Sequence, residues 1–292
     1  MTIVVGHSPI RNDRSPIELA STIARSIGTD LHVVVRVPSR WPTPLSGATD
    51  KEYAAWSREL GERAVAEATG WLSECSEGVG FEAVVVPGRS AAAVLEDQAE
   101  EIDAGMIVVG SADHGEPGQV VLGSTADRML HSSAIPVAIA PRGYRSPAGG
   151  QVTRATCAFR GDDDSRSALT RTAELCGEAG AKLRVATFGV QGATMYPPEV
   201  LGERLVLDAY LEQTSKAQDA AVALMPDAGE GVETVVATGR DWSEALGGLD
   251  WQDGDVLVVG SSPSGLISRV FIGTNATRIV RHSPVPAVVV PR

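Results

Sequence analysis

Residues 108–142 read VVGSADHGEPGQVVLGSTADRMLHSSAIPVAIAPR, and residues 258–292 read VVGSSPSGLISRVFIGTNATRIVRHSPVPAVVVPR. The two stretches align without a gap at an offset of 150 residues. A weaker match continues upstream, where 84–95 aligns with 235–246. The chain therefore contains an internal repeat with a period near half its length.

The repeat and the length of 292 residues both indicate two domains of similar size. We expect the first domain at 1–142 and the second at 152–292. The segment 143–151 is rich in Gly, Pro and Ser, and we expect it to be the linker between the two domains.

Each half alternates short apolar runs with segments of helical spacing. The runs predict strands near 2–6, 31–37, 81–86, 105–110 and 135–140, and again near 153–159, 183–188, 232–237, 255–260 and 285–290. The helical spacing predicts helices near 15–27, 51–76, 90–103 and 123–132, and near 165–179, 198–224, 241–249 and 273–282. Runs such as MIVVG and VLVVG are apolar throughout, which is typical of parallel strands covered on both faces. The pattern predicts an α/β fold with doubly wound sheets.

The fifth run of each half is flanked by proline, as in IPVAIAPR and VPAVVVPR. Proline is tolerated in edge strands, so these runs are predicted to lie at the edge of each sheet. An apolar edge strand needs a cover. We expect each half to cover the other, with 135–140 beside 285–290 about a pseudo-twofold axis.

A glycine-bearing loop follows the fourth predicted strand of each half. The loops share one spacing and contain, in order, Gly110, Asp113, Gly123, Ser124 and Thr125 in the first half and Gly260, Pro263, Gly273, Thr274 and Asn275 in the second. Glycine lets a backbone approach a ligand, and a Gly-Ser or Gly-Thr helix start offers N–H donors and a hydroxyl to an anion. The same residues also make ordinary helix N-caps, so phosphate binding and capping are both open.

This loop resembles Gly-x2-Gly-x9-Gly-(Ser/Thr), the nucleotide loop of the universal stress protein family, and the resemblance covers nearly the whole chain in two copies. It implies two doubly wound five-stranded parallel sheets of the adenine-nucleotide α-hydrolase type, with strand order 3-2-1-4-5 and pairing through the fifth strands. It also implies ATP or AMP binding in some members, with Mg²⁺ present only together with nucleotide. The candidate nucleotide-binding residues that follow are Arg160, Gly161, Gly189, Gly260, Gly265, Gly273, Thr274 and Asn275 in the second half, and Val37, Gly110, Gly123, Ser124 and Thr125 in the first.

The sequence departs from the family pattern at two places. The second loop glycine is replaced by Asp113 in the first half and by Pro263 in the second. Asp113 would place a negative charge near phosphates, whereas Pro263 only removes one N–H donor. The acidic residue that follows the first strand in the family is replaced by Ser8 and Arg160. We therefore expect the second half to be the better nucleotide site.

Arg160 has two open roles. Its guanidinium could hold a phosphate through a bidentate contact. It could instead form a surface ion pair with one of the acidic residues that follow it, Asp162, Asp163 or Asp164.

The composition excludes several function classes. A formal charge of −12 argues against a general nucleic-acid binder, which needs a basic footprint. No apolar stretch approaches the ~20 residues of a membrane span, and the N-terminus lacks a signal-peptide pattern. The three cysteines have no metal-ligand spacing and indicate a reducing, cytoplasmic location. We expect no metal site and no catalytic residues.

The sequence thus predicts a non-catalytic, cytoplasmic stress-response protein whose nucleotide pockets make it a regulator. An interaction or structural module whose degenerate pockets bind no nucleotide is the alternative. A slow ATP hydrolase is a third option, although no general base is visible in either loop. We expect a protein partner of unknown identity, and the chain could also form a homo-oligomer.

Overall fold

The computed structural model describes residues 1–39, 48–114, 116–190, 202–225, 231–261 and 274–291. The first half contains β1 (Thr2–His7), α1 (Ser15–Ile27), β2 (Asp30–Pro38), α2 (Ala48–Cys75), β3 (Phe81–Gly88), α3 (Ala91–Glu101), β4 (Met106–Gly110), α4 (Ser124–Met129) and β5 (Val137–Ala140). The second half contains β6 (Arg154–Ala158), α5 (Asp163–Ala179), β7 (Lys182–Val190), α6 (Gly202–Ala223), β8 (Glu233–Gly239), α7 (Trp242–Gly247), β9 (Asp255–Gly260), α8 (Thr274–Arg281) and β10 (Ala287–Val290). Every predicted strand and helix has a counterpart in this order.

Two predicted helices are shorter than expected. The helix α4 has six residues, and so does α7, against the predicted ranges 123–132 and 241–249. After α4 the backbone hydrogen bond spans three residues instead of four, since the N–H of His131 donates to the carbonyl of Arg128 at 3.0 Å. A three-residue spacing of this kind ends many helices.

The ten strands form a single sheet in the order β3-β2-β1-β4-β5-β10-β9-β6-β7-β8. Within each half the paired strands are parallel and follow the order 3-2-1-4-5, as predicted. The halves meet where β5 pairs with β10 in antiparallel register, with Ala138 opposite Val288. The predicted pairing through the fifth strands is therefore confirmed, and each half covers the other's apolar edge.

The core lies on both faces of this sheet, and each layer runs through both halves. One layer packs α1, α2, α5 and α6 against side chains such as Val5, Val108 and Val258. The other packs α3, α4, α7 and α8 against side chains such as Ile107 and Leu257. The continuously apolar strands fit this arrangement because both of their faces are buried. Each of the two core layers therefore contains side chains from both halves.

The segment 143–151, predicted to be a linker, packs against α1. The Arg25 guanidinium donates to the carbonyls of Gly150 at 2.6 Å and Cys75 at 2.7 Å. Just beyond the segment, the Val152 N–H donates to the Ser26 hydroxyl oxygen at 2.8 Å. These contacts hold the segment 143–151 against α1. Across the described ranges, no helix has the length and apolarity needed to cross a membrane.

Candidate functional site

The second half contains a cavity of about 270 Å³ at the carboxyl ends of β6, β7 and β9. The strand order reverses between β6 and β9, and ligands of open α/β sheets bind at such reversal points. Its described lining residues are Ala158, Phe159, Arg160, Asp164, Ser165, Thr187, Phe188, Thr214, Trp242, Val259, Gly260, Ser261, Asn275, Ala276 and Ile279.

One wall of the cavity is built by the turn from β6 into α5. Gly161 takes a φ of +86°, a left-handed conformation that favours glycine. Asp162 then caps α5, since its side chain accepts a hydrogen bond from the Ser165 N–H at 2.9 Å. Burial would raise the pKa of the Asp162 carboxyl, but the Ser165 hydrogen bonds and the nearby Arg160 charge together lower it. The carboxylate is therefore held charged and fixed at the rim.

Arg160 lies at the cavity wall and is already paired. Its guanidinium is 2.6 Å from the Asp162 carboxylate, with about half of each side chain exposed. The surface ion pair considered from the sequence is thus present. A phosphate bound here would have to share Arg160 with Asp162.

Three aromatic side chains contribute to the apolar lining of the cavity, together with Ala158, Val259, Ala276 and Ile279. Phe159 is 2% exposed, and its N–H donates to the Ala186 carbonyl at 2.8 Å, which extends the sheet past the end of β6. Phe188 and Trp242 are half-buried and pack against the core layer on the α7 side. Aromatic side chains of this kind can stack on planar ligands.

Hydrogen bonds beneath the aromatic walls fix the cavity floor. The Thr187 hydroxyl donates to the Phe159 carbonyl at 2.8 Å. The buried Gln218 amide in turn donates to the Thr187 hydroxyl oxygen at 3.0 Å and to the Val235 carbonyl at 2.9 Å. These bonds link β6, β7 and β8 at the base of the cavity.

The predicted site residues of the second half are brought together only in part. Arg160, Gly260 and Asn275 line the cavity, whereas Gly161 lies in the adjoining turn. Gly189 follows Phe188 in β7, and Thr274 is exposed at the first position of α8. The predicted Gly265 and Gly273 lie outside the described residues.

The glycine that ends the fourth strand of each half has a packing reason. A Cβ added at Gly260 would lie 2.6 Å from the Ala168 Cβ of α5. A Cβ at Gly110 would lie 2.9 Å from Pro16 Cγ of α1. Real Cβ atoms do not approach other carbons this closely, so both glycines let a helix lie against the strand. Their presence is explained without a phosphate.

The loop of the first half bonds to itself. The N–H of Ala112 donates to the Val121 carbonyl at 2.8 Å, and the N–H of Val121 donates to the Ser111 hydroxyl oxygen at 3.3 Å. Gly123 fits closely against Ala112, since an added Cβ would lie 3.3 Å from the Ala112 Cβ. Two backbone donors of this loop, those of Ala112 and Val121, are therefore engaged within the loop itself.

Asp113, expected to repel phosphates, forms an ion pair instead. Its carboxylate is 3.0 Å from Nε of Arg11, which lies in the loop between β1 and α1. The pair joins the two loops above the sheet of the first half. Ser124 and Thr125 begin the short helix α4, and Val37 is buried in an apolar cluster with Val35 and Ala64.

His7 occupies the place in the first half that Phe159 has in the second. Its ring packs edge-on against Trp71, with centroids 5.3 Å apart, and its Nε2 is 3.4 Å from the Glu67 carboxylate. Burial lowers the pKa of His7, although Glu67 and Asp13 oppose that shift. The ring is thus held neutral among its neighbours.

Comparison with known proteins agrees with this fold. The sequence profile of the universal stress protein family matches residues 1–141 and 152–291. The chain belongs to the universal stress protein family. Universal stress proteins of Mycobacterium tuberculosis and Mycobacterium bovis are each 39% identical to it over 293 aligned residues, covering 100% of both chains.

Solved structures of family members share the architecture. A universal stress protein of Archaeoglobus fulgidus matches 100% of this chain and 96% of its own, with a TM-score of 0.60 and 16% identity. A protein of Pseudomonas aeruginosa matches 99% of this chain and 93% of its own, with a TM-score of 0.57 and 16% identity. At this identity the likeness concerns the fold alone.

The cavity of this family member includes residues that the motif did not reveal. Phe159, Phe188 and Trp242 form its walls, and Asp164 adds a carboxylate. The repeat contained a signal for these three aromatic residues. The first half has His7, Arg36 and Ala91 at the aligned positions, so the aromatic side chains are specific to the second half. The chain has four phenylalanines, and two of them, Phe159 and Phe188, lie near the carboxyl ends of the neighbouring strands β6 and β7. This pattern indicates an aromatic site at that edge of the sheet.

Proposed function

We propose that this universal stress protein is a non-catalytic regulator that binds an adenine nucleotide in the cavity of its second half. The observation that carries the proposal is the position of that cavity, at the strand-order reversal and between three aromatic side chains. Occupation of the cavity would change the protein's partners or its assembly. The proposal includes two domains, at 1–142 and 152–292, joined by 143–151.

The cavity chemistry suits the base and sugar of a nucleotide. Phe188 and Trp242 offer surfaces for a planar base, and base–aromatic stacking contributes about 1–3 kcal/mol. Asn275, at the start of α8, adds an amide that can both donate and accept hydrogen bonds. Phosphates would extend toward Arg160 and the start of α8.

The lining chemistry supports binding rather than catalysis. The Ser165 hydroxyl donates to the Asp162 carbonyl at 2.9 Å, so it faces no general base. Histidine and cysteine side chains take part in nucleophilic catalysis in many enzymes. Neither occurs among the described lining residues of this cavity. We therefore propose that ATP turnover stays well below the ordinary enzyme range of ~1 s⁻¹.

The surroundings support the remaining parts of the proposal. Within the described residues, no group of three or more acidic, His or Cys side chains could hold a metal, so Mg²⁺ would enter with nucleotide phosphates. The three cysteines are free thiols, which supports a cytoplasmic location. Protein partners and a homo-oligomer stay predictions.

Two measurements test the proposal. The purified full-length chain is denatured, and any released nucleotide is identified by chromatography and mass spectrometry. Calorimetric titration with AMP, ADP and ATP follows, on the wild type and on Trp242→Ala. We expect one site per chain, weakened about tenfold by Trp242→Ala.

The matched control is Trp56→Ala, because Trp56 is 46% exposed on α2 and far from the second-half cavity. It should leave binding unchanged. Absence of binding at millimolar nucleotide would favour an interaction module with degenerate pockets. A phosphate-release assay showing rapid turnover would favour an ATP hydrolase.

A further inference from the structure

The sheet ends at β3 on one side and at β8 on the other. Among the described strands, β3 pairs with β2 alone. An outer strand presents a row of backbone N–H and C=O groups that can pair with another chain. Of the two outer strands, β3 is the one whose described residues include exposed large apolar side chains, since Phe81 is 39% exposed and Val85 is 37% exposed.

One hydrogen bond shows which residues of β3 direct their backbone groups outward. The Leu31 N–H of β2 donates to the Gly80 carbonyl at 2.9 Å, while Leu31 stands opposite Phe81 in the register of the two strands. In a parallel pair, a residue of one strand bonds to the two residues that flank its opposite number. Leu31 therefore bonds to Gly80 and Glu82, and the backbone N–H and C=O of Phe81 point away from β2.

The same orientation recurs at every second residue of the strand. Ala83 and Val85 therefore direct their backbone groups outward as Phe81 does. Pro87 is the next residue of this series, and it has no N–H to donate. The outer edge of β3 thus offers three complete donor–acceptor residues, and their side chains lie on one face of the sheet.

This row of three residues is complementary to itself. In an antiparallel pair of two copies, Ala83 can lie opposite Ala83 of the second copy, which places each Phe81 opposite a Val85. Residues that face each other in this way exchange both of their backbone hydrogen bonds. Cross-strand pairs of an aromatic and a β-branched side chain are favourable. Glu82 would lie opposite Val84, so the register brings no like charges face to face.

We propose that two copies of this chain associate through the outer edges of β3, in antiparallel register about a twofold axis beside Ala83. The contact uses the same surface on both copies, so it closes at the dimer. It joins two ten-stranded sheets into one continuous sheet and covers Phe81 and Val85. This interface is separate from the second-half cavity, so it does not depend on nucleotide binding.

The first test is sedimentation velocity of the full-length chain without nucleotide. We expect a species of twice the chain mass of 30.4 kDa to grow in as the concentration rises through about 10–100 μM. A wild type that stays monomeric up to about 1 mM would overturn the proposal. Continued growth beyond the dimer would also overturn it, because head-to-tail contacts between β3 and β8 do not close.

A charge exchange tests the register. Phe81→Lys with Val85→Lys places like charges opposite each other, and the dimer dissociation constant should rise at least tenfold, equivalent to ~1.4 kcal/mol. Phe81→Lys with Val85→Glu places opposite charges face to face, and it should dimerise at least tenfold more tightly than the Lys/Lys variant. Both variants replace the same two residues, and circular dichroism checks that both are folded.

The matched control is Thr238→Lys, which adds one positive charge to an exposed position of the other outer strand, β8. It should dimerise as the wild type does. Weakening by Thr238→Lys equal to that of the Lys/Lys variant would place the contact at β8 and overturn the proposal. Equal dissociation constants for the Lys/Lys and Lys/Glu variants would show that Phe81 does not face Val85, which would overturn it as well.

Discussion

His7 and Phe159, which are 152 residues apart, stand at equivalent ends of the first strand of each half, and Phe159 lines the second-half cavity. Phe159 lines the cavity together with Phe188 and Trp242. His7 instead contacts Trp71 and approaches Glu67 within the first half. The two halves thus differ in what the side chain at this aligned position contacts.

The buried His7 should make stability depend on pH. Burial lowers its folded-state pKa below the ordinary value near 6.5, so folding favours the neutral ring. Stability from this group is present above pH ~6.5 and is lost as pH falls from there toward the folded pKa. We expect thermal unfolding to show a larger loss between pH 7.5 and 5.5 for the wild type than for His7→Phe. The exposed His114→Gln variant should retain the wild-type loss.

The close approach of α5 to β9 should make Gly260 intolerant of a side chain. Gly260→Ala places a Cβ against Ala168 and should destabilise the protein by about 1–3 kcal/mol. Gly177→Ala is a control in the same helix, α5, where an added Cβ meets nothing within 4 Å. That change should stabilise by about 0.5–1 kcal/mol, because alanine favours the helix. Denaturant unfolding of both variants measures the difference; equal values would show that the strand and helix can separate at little cost.

Releasing Arg160 from its partner should change ligand preference. Asp162→Asn keeps a good N-cap for α5 but removes the negative charge 2.6 Å from the guanidinium. We expect tighter ATP binding, by about tenfold in calorimetry. Stability at neutral pH should change by less than ~1 kcal/mol, since the pair is half exposed. An unchanged ATP affinity would mean that Arg160 does not reach the phosphates.

The negative charge of Asp162 should also contribute to the pH dependence of folding stability in the acid range. Its folded pKa lies below the ordinary carboxyl value, so its contribution is present above pH ~4 and is lost as pH falls through the folded pKa. Asp162→Asn should therefore lose less stability than the wild type when thermal unfolding is compared at pH 6 and pH 3. Equal losses in the two proteins would contradict this expectation.

We expect the packing of the segment 143–151 to depend on Arg25. Removing its bonds to Gly150 and Cys75 in Arg25→Ala should expose the segment to proteases. Limited chymotrypsin digestion should then cut near Tyr144 faster than in the wild type. Arg171→Ala, which removes an exposed pair with Glu174, should be cut at the wild-type rate. Equal rates for Arg25→Ala and the wild type would show that other contacts hold the segment.

The sequence predicted the fold well because its signals are local or repeated. Continuous apolar runs such as MIVVG marked buried parallel strands, and the two Pro-flanked runs marked the strands that pair across the halves. The helix ends were less predictable at α4 and α7, where short helices end in tight turns.

The site was predicted only in part, because its walls come from distant segments. Phe159, Phe188 and Trp242 meet only after the β6, β7 and α7 elements are assembled. The Arg11–Asp113 pair likewise joins two loops that no local spacing connects. A loop motif indicates which backbone N–H groups could bind an anion. It does not reveal which side chains form ion pairs beside those groups.

The antiparallel pairing of β5 with β10 has an evolutionary consequence. Two identical chains joined about the same axis would carry the same side chain at both copies of every position. Here both copies lie in one polypeptide, so equivalent positions can carry different side chains, as His7 and Phe159 do. Duplication within the chain thus lets equivalent positions of the two halves diverge while the halves stay paired in one sheet.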